Sequence, residues 1–260
     1  MNVALVTGAS SGIGAAIAIA FADAGWSVMA AGRDEGRLEE VADVSDNIST
    51  WAGELIESAD CDELVSDTID EFGGIDCLVN AAGVAIRGSA DELSDDDWRD
   101  TMAVNLDVPF FLSRAALPHL VKAEGSVINI SSVWGLDAGE RAVAYCASKG
   151  GLQLLTRAMA RDHARNGVRF NAICPGGVDT PMLAGEAEEL RQGRSEHGGK
   201  WALLADEGAD TDDQRKRDRE NTNVDRRRAA QDVDRRQLAA GLRVLDRDVL
   251  EAELVLLGDA

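Results

Sequence analysis

The chain has 260 residues, enough for one large domain with a full core or at most two small ones. Its formal net charge of −21 argues against a nucleic-acid backbone as the main partner, because phosphates would be repelled. No apolar run is long enough to span a bilayer and no basic segment precedes the apolar N-terminal stretch, so neither a membrane anchor nor a secretory leader is expected. Cys61, Cys77, Cys146 and Cys174 are scattered without a Cys-x-x-Cys pair, which fits a reduced, cytoplasmic compartment and no bound metal. Only Lys122, Lys149, Lys200 and Lys216 accompany the acidic surplus. Acids with so little lysine suit a halophilic protein, in whose concentrated salt the repulsion is screened; a merely acidic mesophilic enzyme is the alternative.

Short apolar runs alternate with helical spacing from the start. Val3–Thr7 reads as a buried strand, and after a glycine-rich turn residues 15–24 have helical spacing. Residues 26–31 form the next strand, residues 37–41 begin a helix, and residues 49–55 are a weak third strand. Residues 61–72 read as a helix with Leu64, Val65, Ile69 and Phe72 on one face. Cys77–Asn80 is a fourth strand, and the acids Asp95, Asp96 and Asp97 mark a helix N-terminus. A long helix over 104–122, a strand over 127–131, a second long helix over 144–165 and a strand over 168–174 follow. Apolar strands alternating with helices predict an α/β fold: a doubly wound, Rossmann-like parallel sheet with its ligand crevice at the carboxyl ends of the strands.

The composition changes after about Leu204. Through Leu204 acids outnumber bases about two to one, whereas over 205–237 nearly every other residue is charged and the signs almost balance. Such a stretch buries too little apolar surface to offset its ordering entropy, so disorder or a solvated helix is expected there. Residues 238–257 regain enough periodicity for one or two short helices. The expected organisation is a single domain over 1–204 and an atypical charged tail over 205–260.

Thr7-Gly8-Ala9-Ser10-Ser11-Gly12-Ile13-Gly14 lies between the first strand and the first helix. Gly8 suits the tight turn, Gly12 lets backbone approach a pyrophosphate, and Gly14 lets helix and strand pack closely. Phosphates then meet N–H groups at the positive end of the helix. After the second strand, Arg33 offers a charge-assisted partner for a 2′-phosphate, which favours NADP, while Asp34 could repel that phosphate or hold Arg33 and keeps NAD open.

Tyr145-Cys146-Ala147-Ser148-Lys149 puts the chain's one tyrosine a helical turn from a lysine. A free phenol, with a pKa of about 10, is a poor acid–base catalyst at neutral pH, and a nearby ammonium favours its phenolate. Ser132, thirteen residues before Tyr145 and just past a strand end, could hold a substrate oxygen while charge develops on it.

The Gly-x-x-x-Gly-x-Gly spacing, the Tyr-x-x-x-Lys pair and the serine before it resemble the short-chain dehydrogenase/reductase family, notably its 3-oxoacyl-carrier-protein reductase-like members, over residues 1–204. The resemblance implies a catalytic set of Asn105, Ser132, Tyr145 and Lys149, with Ser132 rather than Ser131 as the serine, Lys149 also bonding the nicotinamide ribose, and Asn105 holding a water in a proton relay. It implies that Gly8, Ser10, Ser11, Gly12, Ile13 and Gly14 carry the pyrophosphate. The acid of NAD-preferring members would stand at Gly32. Glu54 and Leu55 would lie beside the adenine, with Asp60 as a rival. Asn80, Ala81 and Gly83 would steady the sheet and line the adenine ribose. Pro175, Gly176, Val178 and Thr180 would orient the carboxamide.

The implied activity is NAD(P)-dependent hydride transfer between a carbonyl and an alcohol. Candidate substrates are, in order, a 3-oxoacyl thioester, a sugar, a steroid or a small alcohol, and the implied assembly is a homo-oligomeric dimer or tetramer. The family's final helix, strand and closing Asp-Gly-Gly are missing after Leu204, as a shifted reading frame near residue 205 would explain. That leaves an alternative: a catalytically silent dinucleotide-binding protein without a complete substrate site.

Overall fold

The computed structural model describes residues 1–184, which fall within a unit spanning Met1–Glu186; the tail expectations for 205–260 and the boundary at 204 lie outside the described residues. Six strands, β1 (Val3–Thr7), β2 (Ser27–Gly32), β3 (Ile48–Ala52), β4 (Cys77–Asn80), β5 (Ser126–Ile130) and β6 (Arg169–Ile173), make one sheet in the order β3-β2-β1-β4-β5-β6. All the pairings are parallel, with Leu5 opposite both Met29 and Leu78. The doubly wound α/β expectation is met. Its chain order reverses between β1 and β4, so the crevice opens where Thr7 and Asn80 end their strands.

The helices are α1 (Gly12–Asp23), α2 (Glu35–Ala42), α3 (Ser58–Phe72), α4 (Asp95–Met102), α5 (Val108–Ala123) and α6 (Val143–His163). Leu64 and Val65 of α3 and Leu112, Ala116 and Leu120 of α5 share a core with Leu5, Leu78 and Val127 of the strands. Helix starts follow their caps. Asp34 accepts from the Arg37 N–H and starts α2 two residues before the spacing suggests. A reciprocal Glu57–Asp60 box opens α3 at Ser58. Ser94 caps the acidic turn at Asp95, where the sequence marks a start.

Two expectations are corrected. The helix expected over 104–122 is already helical from Asp95 and passes through a π-turn over Ala103–Asp107, which carries Asn105. The third strand stops at Ala52 rather than residue 55, because its partner β2 ends at Gly32. Glu54 and Leu55 therefore lie in the loop beyond, where Leu55 turns into the core. Among the described residues β3 and β6 are the edge strands, and Ala172 and Ile173 of β6 are exposed. No helix of the described residues is long and apolar enough to cross a membrane.

Candidate active site

The glycine turn is built by steric necessity. Gly8 and Gly12 hold φ of +65° and +56°, a region where side chains strain the backbone. A Cβ on Gly8 would stand 2.7 Å from the Ala82 nitrogen, and one on Gly14 would collide with the Gly8 carbonyl oxygen. The turn thus meets α1 and the end of β4 backbone to backbone. Ser11 caps α1 without a side-chain hydrogen bond, and no acid stands in the first turn. Free N–H groups and an uncompensated positive helix end make a cradle for an anion, so the residues present fit a dinucleotide pyrophosphate. Ser10 packs over Gly32, its Oγ 3.2 Å from where a Cβ there would sit, and Ile13 is half-buried beside the turn.

Arg33 meets Glu54, with Nη1 3.9 Å from Oε1 and both side chains exposed. Asp34 is engaged elsewhere, capping α2 and pairing with Arg37 at 3.3 Å, so it does not hold Arg33. Asp60 is committed to the α3 cap through the Ile56 and Glu57 N–H groups. Of the two acids considered for the adenine side, Glu54 alone stands by Arg33.

At the end of β4, the Thr7 hydroxyl accepts from both the Ala81 and Ala82 N–H groups at 3.2 Å. Asn80 points inward. Its Nδ2 donates to Asn129 Oδ1 at 2.8 Å and Asn129 donates in turn to Thr156, joining β4 and β5 to α6. Its Oδ1 is buried and unpartnered among the described residues. The side chain therefore serves the sheet, and only its main chain reaches the crevice. Gly83 then passes beside Lys149, its Cβ position 3.4 Å from Nζ and 3.3 Å from Asn105 Oδ1.

Tyr145 and Lys149 stand one turn apart on α6, with Nζ 5.8 Å from the phenol ring centroid. Lys149 is buried and donates to the Ile130 carbonyl at 2.8 Å. Burial pushes its pKa down to about 8, while the nearby Cys174 pulls the other way. The ammonium thus persists at neutral pH at a cost of a few kcal/mol to the fold. Between about 8 and 10.5 the unfolded lysine binds more protons than the folded one, so this group's contribution to stability improves as pH rises through that window and is worst below it. The stability advantage of Lys149→Met over the parent should therefore shrink from neutral pH to about pH 10 in urea unfolding. A pH-independent difference would contradict the assignment.

The two serines differ. The Ser131 hydroxyl is spent, donating to the Lys149 carbonyl at 3.0 Å and accepting from Gln153 at 3.2 Å. The Ser132 hydroxyl accepts from the Trp134 N–H at 3.1 Å, which leaves its proton to give. Asn105 accepts from Val84 N–H and donates to Val84 O and Ser148 Oγ, so both of its amide protons are committed. Beyond β6, the Pro175 carbonyl accepts from Val133 N–H, tying this segment to the serine loop, and Gly176 is exposed. Thr180 donates to the Val178 carbonyl, while its methyl lies 3.3 Å from a Cβ position on Gly12. The segment thus closes on the glycine turn.

Sequence reasoning missed three neighbours. Trp134 meets Tyr145 edge-on at 6.0 Å, and the Arg87 guanidinium lies 4.5 Å over the Trp134 ring. Gln153 is the third, and its place one turn beyond Lys149 was readable.

Residues 2–191 match the family model described as short chain dehydrogenase. The meso-2,3-butanediol dehydrogenase of Serratia marcescens is 37% identical over 203 residues, covering 73% of this chain and 76% of the relative. The mouse (Mus musculus) L-fucose dehydrogenase is 39% identical over 182 residues, covering 70% of this chain and 67% of its own. The 3-ketoacyl-(acyl-carrier-protein) reductase of Brucella melitensis, whose crystal structure is a complex with NADH, superposes with a TM-score of 0.67 at 29% identity, over 70% of this chain and 78% of that one. The chain belongs to the short-chain dehydrogenase family and is an oxidoreductase that works with a nicotinamide dinucleotide.

Proposed function

We propose that the protein interconverts a carbonyl compound and its alcohol, with Tyr145 as the proton donor and acceptor, and that it prefers NADP. The observation that carries this reading is the segment 80–83. The Ala82 N–H donates to Thr7 at the start of the glycine turn, and a Cβ on the next residue, Gly83, would stand 3.4 Å from Lys149 Nζ, so the pyrophosphate cradle and the buried ammonium share one wall. Gly8, Ser10, Ser11, Gly12, Ile13 and Gly14 would hold the dinucleotide, with Arg33 at the 2′-phosphate, Glu54 and the main chain of Leu55 at the adenine, the main chain of Asn80 with Ala81 and Gly83 along the ribose, and Pro175, Gly176, Val178 and Thr180 at the carboxamide. The bound dinucleotide supplies or accepts the hydride.

Ser132 holds the substrate oxygen, and Tyr145 gives that oxygen a proton in reduction or takes one in oxidation. The Lys149 ammonium favours the phenolate and makes the proton easier to release. Asn105, its side chain committed to Val84 and Ser148, fixes the wall around the lysine past which a water would link Lys149 to solvent. The relatives' names span a diol, a sugar, a steroid and a 3-ketoacyl reductase, and we place a 3-oxoacyl thioester first among substrates.

A spectrophotometric screen of NADPH and NADH against these ketone classes tests the reading. Turnover favouring NADPH is expected. Arg33→Leu should raise the KM for NADPH by about tenfold and leave NADH unchanged, as the loss of a charge-assisted bond predicts. Dinucleotide binding without turnover across the panel would instead favour the silent binder.

A further inference from the structure

We infer that Gln153 is a positioning residue for the reaction: it holds the loop that carries Ser132 in register with the helix that carries Tyr145 and Lys149. The inference rests on the role given to Ser132 above. Tyr145, Lys149 and Gln153 follow one another at four-residue steps along a single stripe of α6. Gln153 is buried, and its Nε2 reaches across to the end of β5, donating to Ser131 Oγ at 3.2 Å and to the Ser132 carbonyl at 3.3 Å. Ser131 Oγ donates back to the Lys149 carbonyl at 3.0 Å, closing a loop of hydrogen bonds between the two elements. The neighbouring turn leaves room for the amide, because a Cβ on Gly135 would stand 2.5 Å from Nε2. The Ser132 carbonyl also accepts from the Gly135 N–H at 3.0 Å, and Ser132 Oγ accepts from Trp134 N–H at 3.1 Å. One buried amide thereby fixes both the peptide of Ser132 and the turn that orients its hydroxyl.

The physical consequence is specific. Without the Gln153 donor the Ser131 hydroxyl and the Lys149 ammonium still tie the end of β5 to α6, but the Ser132 peptide loses its own tie and its turn loosens, so the hydroxyl drifts relative to the phenol. Small displacements of that kind weaken the transition state more than the ground state.

Gln153→Met keeps the length of the side chain and removes the donor, and Leu154→Ala, at a residue 66% exposed, is the control. Gln153→Met should speed exchange of the Gly135 amide proton, followed by NMR, and lower kcat by about tenfold with the dinucleotide KM unchanged. In a Ser132→Ala background it should add nothing, whereas a merely structural defect would multiply through. Gln153→Glu serves if the methionine variant does not fold. Its kcat should recover as pH falls and the carboxyl regains a proton to donate. Unchanged Gly135 exchange, or an effect on kcat that persists in the Ser132→Ala background, overturns the inference. Faster exchange with turnover indifferent to Ser132→Ala overturns the reading of Ser132 instead.

Discussion

Tyr145→Phe should lower kcat by about 10³-fold while leaving the dissociation constant for the dinucleotide within about twofold, the range expected when a general acid–base group is lost and nothing else moves. The substitution keeps the ring, so the edge-on contact with Trp134 at 6.0 Å and the place of α6 against β5 survive. What disappears is the hydroxyl. Lys149 remains buried and bonded to the Ile130 carbonyl, with no phenol left to acidify. Steady-state rates with NADPH and a responsive ketone, paired with a binding titration, separate the two effects. Residual turnover within tenfold of the parent would move the proton to some other group.

Gly8→Val should be the most damaging change in the cradle. A β-branched residue at φ +65° is strained by itself, and the new Cβ would stand 2.7 Å from the Ala82 nitrogen and 2.8 Å from its Cα. Strain and overpacking together cost about 3–4 kcal/mol. A domain of this size should then lose about 10 °C in Tm. Because Ala82 and Gly83 form the wall shared with Lys149, the damage reaches past the turn. Dinucleotide affinity should fall by at least about a hundredfold even where the variant remains folded, from the loss of the backbone cradle. Gly74→Ala, at a glycine with no atom within 4 Å of its Cβ position, is the control and should leave both Tm and affinity alone. A Gly8→Val variant with parental affinity would place the dinucleotide elsewhere.

Much of this site was legible in the sequence because its chemistry is local. The glycine turn needs positive φ at Gly8 and Gly12 and a bare Cα at Gly14 beside the Gly8 carbonyl, and glycine is the residue that supplies both, so Gly8, Gly12 and Gly14 announce themselves. Tyr145 and Lys149 share one helix, and helical spacing alone puts them together. Long-range pairings were not readable in that way. Arg33 turned out to face Glu54, from the loop after β3, rather than its neighbour Asp34, because Asp34 serves the first turn of α2. The choice of Ser132 over Ser131 depended on a family spacing. The geometric difference between the two, that Lys149 and Gln153 occupy the Ser131 hydroxyl, becomes visible only when β5 and α6 are set side by side.

The π-turn at Ala103–Asp107 escaped because five residues of altered pitch leave no periodicity of their own. Its effect is to carry Asn105 to Val84 and Ser148 within one run of helix. Gln153 escaped for a different reason. A polar residue in mid-helix is ordinarily solvent-facing, and only its offset from Lys149 pointed inward.

The most direct measurement follows the hydride itself. The protein is incubated with reduced nicotinamide dinucleotide deuterated on one face at the nicotinamide C4, and with each ketone of the panel, and the alcohols are analysed by mass spectrometry. A carbonyl reductase built on Tyr145 and Lys149 yields alcohol carrying one deuterium on the former carbonyl carbon, from one of the two faces and not the other. Tight binding of the dinucleotide with no deuterated alcohol from any ketone would contradict it.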